Sequence, residues 1–188
     1  MGREVRMVPA NWSHPKNESG RYIPLHDSYY EDAVRDWETD DLPKWIEGAR
    51  LWAIGLAKNY EGGTKTIQQA IEDAKANRPY SPPPEHPTYE WWAGDVPSKP
   101  SPDEFMPNWS EAERTHFMMY EDTSEGTPIS PAFATAEELA RWLADTGASA
   151  FADMTATYEQ WLSTIRRGSA CSAVISDGHM MSGVEVLA

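Results

Sequence analysis

Residues 115–147 read THFMMYEDTSEGTPISPAFATAEELARWLADTG, and strand, turn, strand and helix signals follow one another along them without a break. Over 115–121, Phe117, Met119 and Glu121 alternate with His116, Met118 and Tyr120, the period of a pleated strand. Thr123-Ser124-Glu125-Gly126 is turn chemistry, because glycine takes a positive φ without steric penalty. Residues 127–130 can return as a short second strand. Pro128 has no N–H for a ladder bond, so that strand belongs at a sheet edge. Thr135 and Glu138 have the spacing of a capping box, and Leu139, Trp142 and Leu143 then share one helical face. Gly147 stands where a C-terminal cap is expected. The predicted core of the C-terminal half is therefore an antiparallel hairpin packed under an amphipathic helix.

Helical periodicity dominates upstream of this stretch. Arg3 to Val8 alternates basic with apolar residues and can form a strand, which Pro9, Asn11 and Pro15 stop. Ser28 with Glu31 suggests a capping box ahead of Tyr30, Val34 and Trp37, which lie on one helical face. Asp40-Asp41 suits a helix start, and Leu42, Trp45, Ile46, Ala49, Trp52, Ala53, Leu56 and Tyr60 continue as an apolar stripe up to Gly62-Gly63. Thr64 then starts a third helix with Ile67, Ala70, Ile71 and Ala74 inward, giving an antiparallel helical hairpin. Nine of the fifteen prolines fall in 79–107, a density that rules out a long helix or central strand there. Trp91, Trp92, Phe105 and Trp109 would pin that segment as an extended loop.

Downstream, residues 154–168 predict a last helix through Tyr158, Trp161, Leu162 and Ile165, with Arg166 and Arg167 at its negative end. Residues 173–175 and 184–187 could pair as short strands around Ser176-Asp177-Gly178. The expected fold is α+β: a helical N-terminal half, a Pro/Trp-rich loop, and a small antiparallel sheet packed against helices. Helices are placed near 28–39, 42–60, 65–76, 136–146 and 156–167, and strands near 115–121 and 127–130. One compact domain over 1–188 is expected, with 28–78 able to form a helical subdomain. Trp45, Trp52, Trp142 and Trp161 are expected to be mostly buried.

Composition bounds the chemistry. The lone Cys171 excludes an internal disulfide and a cysteine zinc cluster, and an isolated cysteine reads as a small buried residue in a reduced, cytoplasmic setting. No apolar run is long enough for a membrane span. The five histidines, at 14, 26, 86, 116 and 179, show no HExxH and no metal-site spacing. His26-Asp27 and Asp177 with His179 read as loop and turn residues. There is no nucleophile elbow, phosphate-binding loop or dinucleotide fingerprint. No catalytic residue, metal or cofactor is therefore expected, and the reading leans away from an enzyme.

A net charge of −14 disfavours direct nucleic-acid binding, which needs lysines and arginines to displace counterions. The charge is uneven: residues 1–26 sum to +2 and residues 85–145 to −10. The expected partner-binding residues are Glu85, Glu90, Trp91, Trp92, Asp95, Asp103, Glu104, Glu121, Asp122 and Glu125. The acids would steer the protein to a basic partner, and Trp91 or Trp92 would anchor it.

Four blocks carry a resemblance: GREVRMVPANWSHPKNESGRYIPLHD at the N-terminus, YEWWAGDVPSKPSPDEFMPNW in the middle, YEDTSEGTPISPAFATAEELARWL, and MTATYEQWLSTIRRGSACSAV near the end. Together they resemble an uncharacterised family of small acidic proteins encoded by phages and prophages. The resemblance implies a phage accessory protein acting in the cytoplasm of an infected bacterium. With the charge, it suggests a non-catalytic protein that blocks a basic, nucleic-acid-binding surface of a host defence complex, such as a CRISPR or restriction system. Carboxylates can stand in for phosphates, which recur at about one charge per 1.7 Å of duplex axis. Two alternatives stay open: a small enzyme acting on nucleotide, DNA or host protein, and a phage assembly or host-takeover adaptor.

Overall fold

A computed structural model describes residues 2–59, 62–77, 83–122, 126–176 and 178–186. The chain is α+β, with antiparallel sheets packed against helices. It forms two compact units. Unit 1 is residues 1–29 with 102–188, and unit 2, residues 30–101, interrupts it in sequence.

In chain order, β1 (Arg3–Val8) is followed by unit 2: α1 (Tyr30–Asp36), a π-helical turn (Trp37–Asp41), α2 (Leu42–Ala53), β2 (Leu56–Lys58), β3 (Thr64–Thr66), α3 (Ile67–Asn77) and α4 (Tyr89–Ala93). Unit 1 resumes with β4 (His116–Glu121), β5 (Thr127–Pro128), α5 (Ala136–Asp145), α6 (Tyr158–Arg167) and β6 (Ser169–Ala170). It closes with β7 (Ala173–Ser176), β8 (His179–Ser182) and α7 (Gly183–Val186).

The unit 1 sheet has the order β5-β4-β1-β6, with β1 antiparallel to β4 from Arg3↔Glu121 to Val8↔His116. Pro128 is on the edge strand, as its missing N–H requires. Both faces of the sheet are covered. Val5, Phe117 and Met119 pack with Leu139, Leu143, Trp161 and Ile165 of the two helices. Val8, Met118 and Tyr120 pack against Trp12, Met106 and Trp109. Because β1 is central and sandwiched, its arginines go inside with the apolar residues: Arg3 is 2% and Arg6 5% exposed.

Both C-terminal helices carry complete capping boxes, Thr135 with Glu138 and Thr157 with Gln160. The second begins at Tyr158, not at Met154, because Thr157 is extended and serves as its cap. Gly126 has a positive φ of 49°, and a side chain there would meet the backbone oxygen of Leu25 at 2.1 Å. The rest of the predicted turn, residues 123–125, lies outside the described residues, as do Tyr60, Asp177 and Leu187.

Unit 2 departs most from expectation. The expected break near residue 40 is a continuous helical passage, in which a π turn lets the Leu42 N–H reach the Trp37 carbonyl. Pro43, at the start of α2, has no N–H, so the regular i→i−4 ladder cannot continue through it. The helix ends at Ala53, short of residue 60, where Gly55 turns the chain at φ 85°. Leu56, Ala57 and Lys58 then pair with Thr66, Lys65 and Thr64. The expected helical hairpin is thus a β-hairpin followed by α3. The proline-rich segment is not wholly extended, since Thr88 caps the short helix α4 within it.

Near the C-terminus, β7 pairs with β8, and Val184 enters α7 instead of the expected second strand. Cys171 is exposed, contrary to its expected burial. Of the four tryptophans expected to be mostly buried, Trp161 is fully buried, and Trp45, Trp52 and Trp142 keep a minor part of their surface exposed.

Candidate functional site

In unit 2 the predicted acidic and aromatic residues gather around α4. Glu85, Glu90 and Asp95 are exposed before, within and after it, whereas Trp91 and Trp92 are half-buried. The short helix is held by its rings. Tyr89 lies between Trp45 and Trp52, with ring centroids 5.2 and 6.0 Å away, and Trp92 stacks on Trp52 at 5.9 Å. Trp45 Nε1 donates to the Gly94 carbonyl at 3.1 Å, and Trp37 Nε1 to that of Pro97 at 2.8 Å. Gly48 makes the close approach possible, because a Cβ there would lie 1.8 Å from the Tyr89 hydroxyl oxygen. Burial against α2 raises the Tyr89 pKa. Trp92 is therefore a packing residue of unit 2, and Trp91, 6.5 Å from it, is the indole beside the exposed acids.

The remaining predicted acids belong to unit 1. Asp103 and Glu104 are exposed on a 3-10 turn, Pro102–Glu104. Glu121 and Asp122 are half-buried and serve the interior. Asp122 Oδ1 accepts from the Gly2 backbone N–H at 2.8 Å, and both carboxylates oppose the effect of burial, which lowers the Arg3 pKa. Arg3 donates from Nε to the Ser149 carbonyl at 2.9 Å and from Nη2 to Ser149 Oγ at 3.1 Å. Glu125 lies outside the described residues.

Sequence reasoning missed a buried polar chain on the second face of the unit 1 sheet. The Tyr120 hydroxyl is fully buried; Trp12 Nε1 donates to it at 3.1 Å, and His14 Nδ1 lies 3.2 Å away. His14 Nε2 is 2.6 Å from the Ile23 carbonyl, which can only accept. Nε2 therefore holds the imidazole proton, and Nδ1 accepts from Tyr120. Desolvation is the main cause that lowers the His14 pKa, and the nearby Arg6 adds to it against the Ile23 bond. Desolvation also pushes Tyr120 up to about 12. The Arg6 guanidinium lies over the Tyr120 ring at 4.4 Å, pairs with Glu4 and donates to the Leu25 carbonyl at 2.7 Å. Both His14 nitrogens are thus committed, and Tyr120 stays protonated at neutral pH. The available signal was the run Asn11-Trp12-Ser13-His14, polar and aromatic directly after a strand, but its partner Tyr120 is remote in sequence.

Two clefts adjoin this chain. One, of about 470 Å³, is lined by Trp12, His14, Lys16, Tyr22 and Trp142 among others. The second, of about 340 Å³, brings Arg6 beside Asp27, Trp109 and Arg114. Burial raises the Asp27 pKa despite the Arg6 guanidinium, 3.9 Å away. Among the described residues, no three of His, Cys, Asp and Glu are grouped to hold a metal ion, and no helix is long and apolar enough to cross a membrane. Compared with known proteins, the chain matches no family model, no curated protein and no solved structure.

Proposed function

We propose that this protein is a non-catalytic interaction protein that docks the acidic rim of α4 onto a basic protein surface. The observation that carries the reading is the ring packing beneath that rim: Glu85, Glu90 and Asp95 are exposed around a helix fastened by Tyr89 and Trp92. Charges on a fixed platform lose less conformational entropy on docking than charges on a loose loop. Trp91 supplies an aromatic contact beside them. The acids steer association, and the indole slows dissociation.

A surface that normally binds nucleic acid is the natural complement, because it presents cations spaced for phosphates. The resemblance to phage-encoded accessory proteins supports a host nucleic-acid-handling or defence complex as the partner. The enzyme alternative is less well supported, since the buried histidine spends both ring nitrogens on internal bonds.

The test is capture of partners from bacterial lysate at low and high salt, with the wild type beside two charge-reversal variants. Reversal of Glu85, Glu90 and Asp95 to lysine is expected to abolish low-salt capture of a basic protein. Reversal of Asp103 and Glu104 is expected to leave it in place. Equal capture by the wild type and the triple variant would overturn the reading.

A further inference from the structure

We propose that the cleft of about 470 Å³ in unit 1 binds a small planar aromatic molecule carrying one negative charge. This site is built from unit 1 residues, none of them in the acidic rim of unit 2, and asks for the opposite ligand charge. Its volume falls in the range of roughly 300–1,000 Å³ typical of small-molecule sites, which combine apolar walls with a few placed polar groups. Here Trp12, Tyr22 and Trp142 provide rings, and Met118 and Ile129 provide aliphatic contacts.

The cation is Lys16, whose Nζ stands 4.6 Å above the centroid of the Tyr22 ring. Among the described residues, no Asp or Glu lines this cleft, in a chain with 30 acidic residues against 16 Lys and Arg. An anion entering it meets Lys16 without a competing carboxylate on the walls. His14, neutral through its two bonds, adds no second charge. One cation beside several rings selects an aromatic monoanion over a polyphosphate or an aliphatic ligand.

The walls are fixed in advance. Trp12 and His14 both engage the Tyr120 hydroxyl from below. Lys16 and Tyr22 face each other across an antiparallel bridge. The loop between them is closed by the Asn17 side-chain oxygen, which accepts from the backbone N–H groups of Ser19 and Arg21 at 3.1 and 3.0 Å. Little ordering is left for the ligand to impose, which favours affinity.

The probes are 8-anilinonaphthalene-1-sulfonate and its uncharged counterpart, N-phenyl-1-naphthylamine, titrated by fluorescence into the full chain at neutral pH. Both are expected to bind, the sulfonate more tightly. Lys16→Gln should weaken the sulfonate about tenfold and change the neutral dye by less than about twofold, the pattern of one lost ion pair. Tyr22→Ala should weaken both dyes. Lys16 and Tyr22 are exposed, and near-ultraviolet circular dichroism checks that the core of each variant is intact. Ile175→Ser, on the exposed C-terminal hairpin, should change neither dye. The proposal is overturned if neither dye binds, if Lys16→Gln leaves the preference for the sulfonate unchanged, or if Ile175→Ser removes binding.

Discussion

His14 has its single proton placed by two fixed partners, the Ile23 carbonyl and the Tyr120 hydroxyl. Its folded pKa lies below the ordinary 6.5. Above about 6.5 both folded and unfolded chains hold a neutral imidazole, and His14 adds no pH dependence. As pH falls below that value, the unfolded chain takes up a proton that the folded chain resists. Stability therefore drops with falling pH until the folded pKa is passed. Urea midpoints measured from neutral to mildly acidic pH should fall more for the wild type than for His14→Gln, which cannot titrate there. Equal slopes would show that His14 is not held neutral. At the opposite face, Trp161 is completely buried, and among the described residues its Nε1 has no hydrogen-bond partner. Trp161→Ala should cost about 3–5 kcal/mol through lost burial and a cavity. Trp161→Phe should cost clearly less, because it also removes the stranded donor. The two urea midpoints compare them directly. The inward position of Trp161 was legible from its place on a helical stripe. The burial of His14 was not, because loop residues have no periodicity to reveal a face.

Elements were most legible where local chemistry and packing agree. Thr135 and Thr157 each begin a helix whose apolar stripe meets the sheet, so cap and stripe specify the same ten residues. Thr135→Ala should lower stability by about 1 kcal/mol, the usual loss of a side-chain cap. A chemical melt reads it, and Thr135→Ser should restore most of the difference. Legibility failed where a short element depends on its neighbour. Leu56 continued the stripe of Trp45, Trp52 and Ala53, so helical periodicity ran past the true end of α2. Gly55 and three cross-strand pairs decide the outcome instead. The π turn before Pro43 was hidden for another reason: a proline marks a difficulty in the ladder without saying how the chain resolves it.

At the scale of the whole molecule, composition foretold an acidic protein, but only the fold could sort its carboxylates. Glu121 and Asp122 look like Glu85 and Glu90 in sequence, yet they face the buried Arg3. Exposed charges act over roughly 8–10 Å at physiological salt. Partner association should therefore slow steeply as salt rises, while dissociation changes little. Trp91→Ala should show the reverse pattern, with faster release and nearly unchanged association. Stopped-flow or surface-based kinetics across a salt series separates the two. The pairing of β1 with β4 has a further consequence, for synthesis on the ribosome. The strand Arg3–Val8 is made well before its partner, which is complete only at Glu121. At about 5–20 residues per second, that delay lasts roughly 6–23 s. Throughout it the nascent strand carries an apolar edge with nothing to pair. Arg3 and Arg6, later interior, are then its only positive charges and hinder pairing with other chains. Replacing both with methionine should raise the aggregated fraction in cell-free translation at early time points, before any loss measured on the purified fold.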